Sequence, residues 1–200
     1  WVQIGIIYDS LKKHMNMNEK EVFELFDLFP EIVRPEIIPA LNNLKSKKKS
    51  KQCDKVIIYT NNQGPTSWAN LIKNYLNHKI SFNLFDQIIA AYKVNGVHVE
   101  KKRTSHIKNV PDLIRCTQLT PDTEICFIDD QHHKPMEHDK VTYIYIKPYK
   151  YDMQFDNMIE RVLNSKIINS IKDKDKLKKD LQKEVRRYRF HVTPKTELEH

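Results

Sequence analysis

Ile57-Ile58-Tyr59-Thr60-Asn61-Asn62-Gln63-Gly64 and Glu124-Ile125-Cys126-Phe127-Ile128-Asp129-Asp130-Gln131 each pass from a short apolar run into a cluster of polar residues. Nearly continuous, non-alternating apolar character is what a strand needs when helices cover both faces of its sheet, as in parallel sheets. Val56 to Thr60, Ile125 to Asp129 and Val141 to Ile146 are therefore predicted to be buried strands of an α/β fold. Between the first two, Trp68, Leu71, Ile72, Tyr75 and Leu76 recur at helical spacing, which predicts a helix with Thr66 or Ser67 as its N-cap. Upstream, Pro35 suits the first turn of a helix through Ile38, Leu41 and Leu44, and the run Lys45 to Lys51 reads as a solvated loop after it. Val94-Asn95-Gly96-Val97 predicts a β-hairpin, because Asn-Gly tolerates the positive φ values of a tight primed turn.

The rest of the composition narrows the class. With 40% hydrophobic and 30% charged residues, the balance is that of a globular protein, and 200 residues suffice for one domain with a helical appendage. Apolar runs such as Val56-Ile57-Ile58-Tyr59 fall far short of the ~20 residues a membrane span requires. Trp1 opens into Val2-Gln3-Ile4-Gly5-Ile6-Ile7 without a basic leader, so an intracellular protein, in cytoplasm or nucleus, is expected. Cys53, Cys116 and Cys126 stand in no metal-binding spacing and read as reduced thiols.

The net charge of +8 is unevenly placed: from Ser165 to His191 seven Lys and three Arg face only three Asp and one Glu. Leu177, Leu181, Val185 and Tyr188 form one helical stripe in that segment, which predicts an amphipathic C-terminal helix over an appendage of residues 165–197. Residues 198–200 resemble the start of an affinity tag.

Chemistry concentrates at the two strand ends. A hydroxyl and amides leaving a strand just before a helix suit a phosphate, and they also suit an ordinary hydrogen-bonded turn. Two adjacent carboxylates at the other strand end repel each other, so a lysine or a hard cation such as Mg²⁺ suits them, as does a solvated turn with a helix-capping Asp.

Taken together, Arg34-Pro35, Ile58-Tyr59-Thr60-Asn61-Asn62, a helix, and Phe127-Ile128-Asp129-Asp130 resemble the haloacid-dehalogenase-like (HAD) phosphatases. The order is similar to the branch containing the small phosphatases of the RNA polymerase II C-terminal domain. From Gly5 through Lys147-Pro148-Tyr149, about three quarters of the chain, it is closer to uncharacterised HAD-like proteins of large DNA viruses. The resemblance implies a Rossmannoid, mainly parallel sheet flanked by helices over residues 1–164, with the hairpin as an insert. It implies that Thr60, with the amides of Asn61 and Asn62, holds phosphoryl oxygens, and that Asp129 and Asp130 position Mg²⁺. Lys108 is the candidate for the family's charge-offsetting lysine, with Lys101 and Lys102 as rivals.

The family's first motif, an Asp-x-Asp-x-Thr strand end bearing the nucleophile, has no counterpart here. Asp9 follows the apolar run Ile4 to Tyr8, but Leu11 stands where the second Asp belongs, and the similarity places the motif immediately before Trp1. The implied function is Mg²⁺-dependent phosphoester hydrolysis acting on a phosphoprotein or a nucleic-acid end, inactive in a chain without that motif. The alternative is a non-catalytic module whose basic tail, with rings interleaved in Arg186-Arg187-Tyr188-Arg189-Phe190-His191, contacts nucleic acid or an acidic protein.

Overall fold

The computed structural model describes residues 1–188, so Arg189, Phe190, His191 and the tag-like residues 198–200 lie outside the described residues. In chain order the main elements are α1 (Val2–Leu11), α2 (Glu19–Asp27), α3 (Ile37–Lys49), β1 (Ile57–Tyr59), α4 (Thr66–Lys79), β2 (Gln87–Ile89), β3 (Lys93–Val94), β4 (Val97–His98), α5 (Val110–Thr117), β5 (Ile125–Asp129), β6 (Val141–Tyr145), α6 (Phe155–Leu163) and α7 (Lys174–Arg187). The fold is mixed α/β, and the chain divides into two units: Ile38–Pro148, and Trp1–Ile37 joined with the chain from Tyr149 on.

The α/β unit holds all the strands found among the described residues. β1 pairs with β2 in parallel, Ile57 opposite Gln87 and Tyr59 opposite Ile89. β5 pairs with β6 in parallel, Ile125 opposite Val141 and Asp129 opposite Tyr145. β3 and β4 form the hairpin, with Asn95 at φ 49° and Gly96 at φ 81°, as the primed turn demands. Instead of one mainly parallel sheet, the described residues thus form two parallel pairs and one antiparallel pair. α5 bridges the two parallel pairs: its Leu113 and Cys116 join Ile89 of β2 and Phe127 of β5 in one apolar cluster, flanked by Ile57, Tyr59, Ile125 and Tyr143.

Three local expectations are corrected. Pro35 does not open α3, because Glu36 adopts a left-handed conformation at φ 62° and the helix begins only at Ile37. The lysine run is no loop, since α3 continues to Lys49 and its last-turn cations lie where the helix dipole favours them. Lys45 donates to the carbonyl of Ile80 at 2.6 Å, and Lys48 donates to Leu84 O and to the carboxylate of Asp86. Neither Thr66 nor Ser67 caps α4: Pro65 takes that place, with no side-chain cap.

The other unit is helical. α1 contains β-branched residues that favour a strand locally, yet Ile4, Ile7 and Leu11 fall on one helical face and are fully buried. α7 packs on α1 and α6, burying Leu177 and Leu181, while Tyr188 at its end is 52% exposed. Asn18 and Glu21 form a reciprocal capping box at the start of α2. Two polar clamps tie distant stretches together: Gln3 exchanges hydrogen bonds with the backbone of Met153, and Arg161 binds Glu31 through both carboxylate oxygens. Among the described residues no helix is long and apolar enough to cross a membrane.

Candidate functional site

A cleft of about 440 Å³ opens at the carboxyl ends of the parallel strands, lined by Asn61 and Asn62 after β1, Asp129 and Asp130 at the end of β5, Ile146 after β6, and Lys108 before α5. Strand ends gather ligands because successive strands release their loops on the same side of the sheet.

Lys108 and Asp129 form the centre of this cleft. Both are buried, and the Lys108 ammonium donates to Asp129 Oδ2 at 2.5 Å. Asp129 Oδ1 accepts the backbone N–H of Gln131 at 2.8 Å, so the carboxylate is held from both sides. The ammonium also lies 5.7 Å from the ring of Tyr59 and 5.8 Å from that of Phe127, whose faces attract a cation. Lys101 and Lys102, by contrast, are exposed. Asp130 is half-buried and forms no ion pair among the described residues.

The loop after β1 is a self-bonded turn. Asn62 N–H donates to Thr60 Oγ1 at 3.0 Å, and Gly64 N–H donates to Asn62 Oδ1 at 2.6 Å. The Thr60 hydroxyl therefore serves its own turn. It lines a smaller, mainly apolar cavity beside Ala69, Ile88, Ala91 and Val99, which shares Asn62 with the main cleft, so Thr60 is not among the residues lining that cleft. Asn61 Oδ1 is buried without a hydrogen-bond partner.

Two residues were not legible in the sequence. Arg103, 1% exposed, donates to the carbonyls of Thr60 at 3.1 Å, Ala90 at 2.9 Å and His106 at 3.0 Å. It thereby ties the loop after β1 and the loop after β2 to the segment leading into Lys108. No motif marks it; the only signal is an arginine among exposed lysines. His133 is buried with Nε2 3.6 Å from Asp129 Oδ1; burial pushes its pKa below the ordinary value, against the pull of the Asp129 carboxylate.

Asp112 supports the same region. Burial raises its carboxyl pKa, but hydrogen bonds from Thr104 and Asn109 and the Arg115 guanidinium outweigh that effect and leave it below the ordinary value. Asp9 is exposed within α1 and paired with Lys12 at 2.8 Å, which removes it as a strand-end nucleophile.

Oxygen-only donors suit Mg²⁺, which takes one or two protein carboxylates and completes its shell with water and phosphate. Asp129 and Asp130 fit that requirement, although among the described residues no group of three or more His, Cys, Asp or Glu is arranged to hold a metal. No protein-family model, curated protein or solved structure matches this chain.

Proposed function

We propose that the chain is the body of a Mg²⁺-dependent phosphoryl-transfer domain of the HAD type, without the segment that carries the nucleophile. The buried Lys108–Asp129 pair supports this reading most directly, because it opens on the same cleft as the polar loop after β1. A lysine paired with a buried carboxylate and within about 6 Å of two aromatic rings is a fixed positive charge, suited to offsetting the charge that develops on phosphoryl oxygens. Asn61 and Asn62 would contact those oxygens. Asp129 and Asp130 would hold Mg²⁺, which when bound supplies Lewis-acid polarisation of the phosphoryl group. The substrate class is a phosphoprotein or a nucleic-acid end, since the sequence carries no large insert resembling a cap over the strand ends. The proposed site lies in the α/β unit.

The test is binding. Inorganic phosphate with Mg²⁺ should bind the wild-type chain in calorimetry and lose at least about tenfold in affinity in Asp130→Asn, as expected when a charged contact is removed. Equal binding by the variant, or binding indifferent to Mg²⁺, would refute the reading.

A second reading draws on α7, where Lys174, Lys176, Lys178, Lys179, Lys183, Arg186 and Arg187 are exposed. This face could contact a polyanion. Retention on heparin that falls with salt and disappears on deletion of the chain after Asn164 would support it.

A further inference from the structure

We propose that the end of α3 and the turn after it form a binding surface for the phosphate backbone of nucleic acid, carried by Lys47, Lys49, Lys51 and Lys55. Lys55 stands just before β1, so this surface lies at the amino end of that strand, whereas the Lys108–Asp129 cleft lies at the carboxyl ends. The inference is independent of the phosphatase reading.

Charge singles out this segment. Residues Ile38–Pro148 contain 15 Lys and 2 Arg against 7 Asp and 3 Glu, so the α/β unit is strongly basic in its own right. From Ile37 through Cys53 there are five lysines and no carboxylate at all. α7 differs, because Asp175, Asp180 and Glu184 interrupt its cations and Glu184 pairs with Lys13 and Arg187.

Contacts within the fold account for only two of those five lysines. Lys48 is bound to Asp86, and Lys45 donates to the carbonyl of Ile80. Lys47, Lys49 and Lys51, with Lys55 beyond them, are exposed and form no ion pair among the described residues. Nor are they needed to cap the helix. Gln52 N–H donates to Lys47 O at 2.9 Å and Lys51 N–H to Lys48 O at 3.2 Å, so the backbone closes its own last carbonyls. The helix macrodipole presents only about half a negative charge at this end, far less than the ammonium groups gathered there. Lys45 and Lys49, four residues apart on one helix, repel each other. Lys51 sits at φ 60°, the left-handed position after a helix that glycine fills without strain. The fold thus retains like charge and local strain that its own stability does not call for.

The neighbouring side chains identify the partner. Asn42, Asn43, Ser46, Ser50 and Gln52 are exposed beside the lysines and add amide and hydroxyl donors. Ammonium, amide and hydroxyl groups together are what grips phosphate oxygens in nucleic-acid complexes, and such contacts carry no sequence information. A membrane surface takes up apolar side chains, and a protein interface is built on an apolar centre. Among the described residues, no large hydrophobic side chain between Ile37 and Asp86 is exposed. That absence of an apolar anchor favours nucleic acid over both.

Fluorescence anisotropy of a labelled duplex of about 20 base pairs, titrated with the full chain between about 50 and 200 mM salt, tests this. Lys47→Gln with Lys49→Gln and Lys51→Gln should lose at least about tenfold in affinity. The slope of log affinity against log salt should flatten by about 2.7, roughly 0.9 for each phosphate contact removed. Lys55→Gln alone lies outside the helix, cannot unfold α3, and should flatten the slope by about 0.9. Lys174→Gln with Lys178→Gln and Lys179→Gln removes the same charge from α7 and should leave affinity within about twofold of wild type. Two duplexes of unrelated sequence should bind alike. The proposal is overturned if the wild-type chain binds neither duplex, if the α3 and Lys55 variants keep the wild-type slope, or if the α7 variant carries the loss instead. Tighter binding to phosphatidylserine vesicles than to DNA, lost in the same α3 variant, would overturn it too and assign the surface to a membrane.

Discussion

Lys108 and Asp129 meet as a buried ion pair, Nζ to Oδ2 at 2.5 Å, at the carboxyl end of β5. Removing one partner strands the other charge out of water, whereas replacing both with apolar groups of similar size does not. Lys108→Met is therefore expected to lower unfolding free energy by about 3–5 kcal/mol, and Lys108→Met with Asp129→Leu to recover most of it. Urea unfolding of the singles and the double variant measures this, and an additive double variant would show that the pair does not act as a unit.

Arg103 should resist conservative replacement. Its planar guanidinium reaches three carbonyls at once, and an ammonium cannot reproduce that fork. Arg103→Lys is expected to destabilise by about 2 kcal/mol or more, given roughly 1.5–3 kcal/mol for each hydrogen bond to a charged group. Faster amide exchange at Asn62 and Lys108 should accompany the loss, because Arg103 anchors both segments.

Asp112 has a depressed native pKa, so the unfolded chain binds the proton more readily. Its contribution to stability is fully present above the unfolded value of about 3.8 and is lost as pH falls through the lower native value. Asp112→Asn should be less stable than wild type at neutral pH and show a flatter acid limb in thermal unfolding. Parallel acid limbs would exclude this carboxylate as a contributor.

The thiols should separate by reactivity. Burial, together with the negative charges of Glu100 and Asp112, pushes the Cys116 thiol up to about 11, whereas Cys126 is exposed. Alkylation by iodoacetamide at pH 8 should label Cys126 rapidly and leave Cys116 unmodified in the native state, since only the thiolate attacks. Peptide mapping reads the difference, and equal labelling would contradict the packing of α5 against the sheet.

A fifth expectation, on activity, follows from the groups present. In the proposed reading Lys108 and Asn61 stabilise charge and Asp129 and Asp130 are committed to Mg²⁺, so the groups lining the cleft leave no carboxylate assigned to attack phosphorus. The 200-residue chain is expected to hydrolyse p-nitrophenyl phosphate no faster than Asp129→Asn with Asp130→Asn. Adding a strand that ends in Asp-x-Asp should create Mg²⁺-dependent turnover. Robust turnover by the chain alone would sink the account.

Much of the α/β unit was legible locally. Ile125 to Asp129 forms a strand because its apolar run is bounded by polar residues, and Asn95-Gly96 turns because both tolerate positive φ. α7 was legible from the stripe Leu177 and Leu181, whose burial needs only a neighbouring apolar surface. The adjacency of Asp129 to Asp130 likewise announced a strand-end cluster before any fold was known.

Other features depended on contacts between residues far apart in the chain. β2 is only Gln87–Ile89, too short to display a period, and becomes a strand by pairing with β1. The lysines of α3 read as solvent-bound until Lys48 meets Asp86, and the apolar run of α1 became a helix because burying Ile4, Ile7 and Leu11 outweighed their β-branched propensity. Lys108 could be told from Lys101 and Lys102 only once the sheet brought Asp129 beside it, 21 residues away. Residue types and periodicities thus determined which segments would be strands, helices and polar strand ends. Which cation meets which carboxylate and which carbonyls Arg103 gathers were decided by tertiary structure, because those interactions depend on distance in space and not on spacing in sequence.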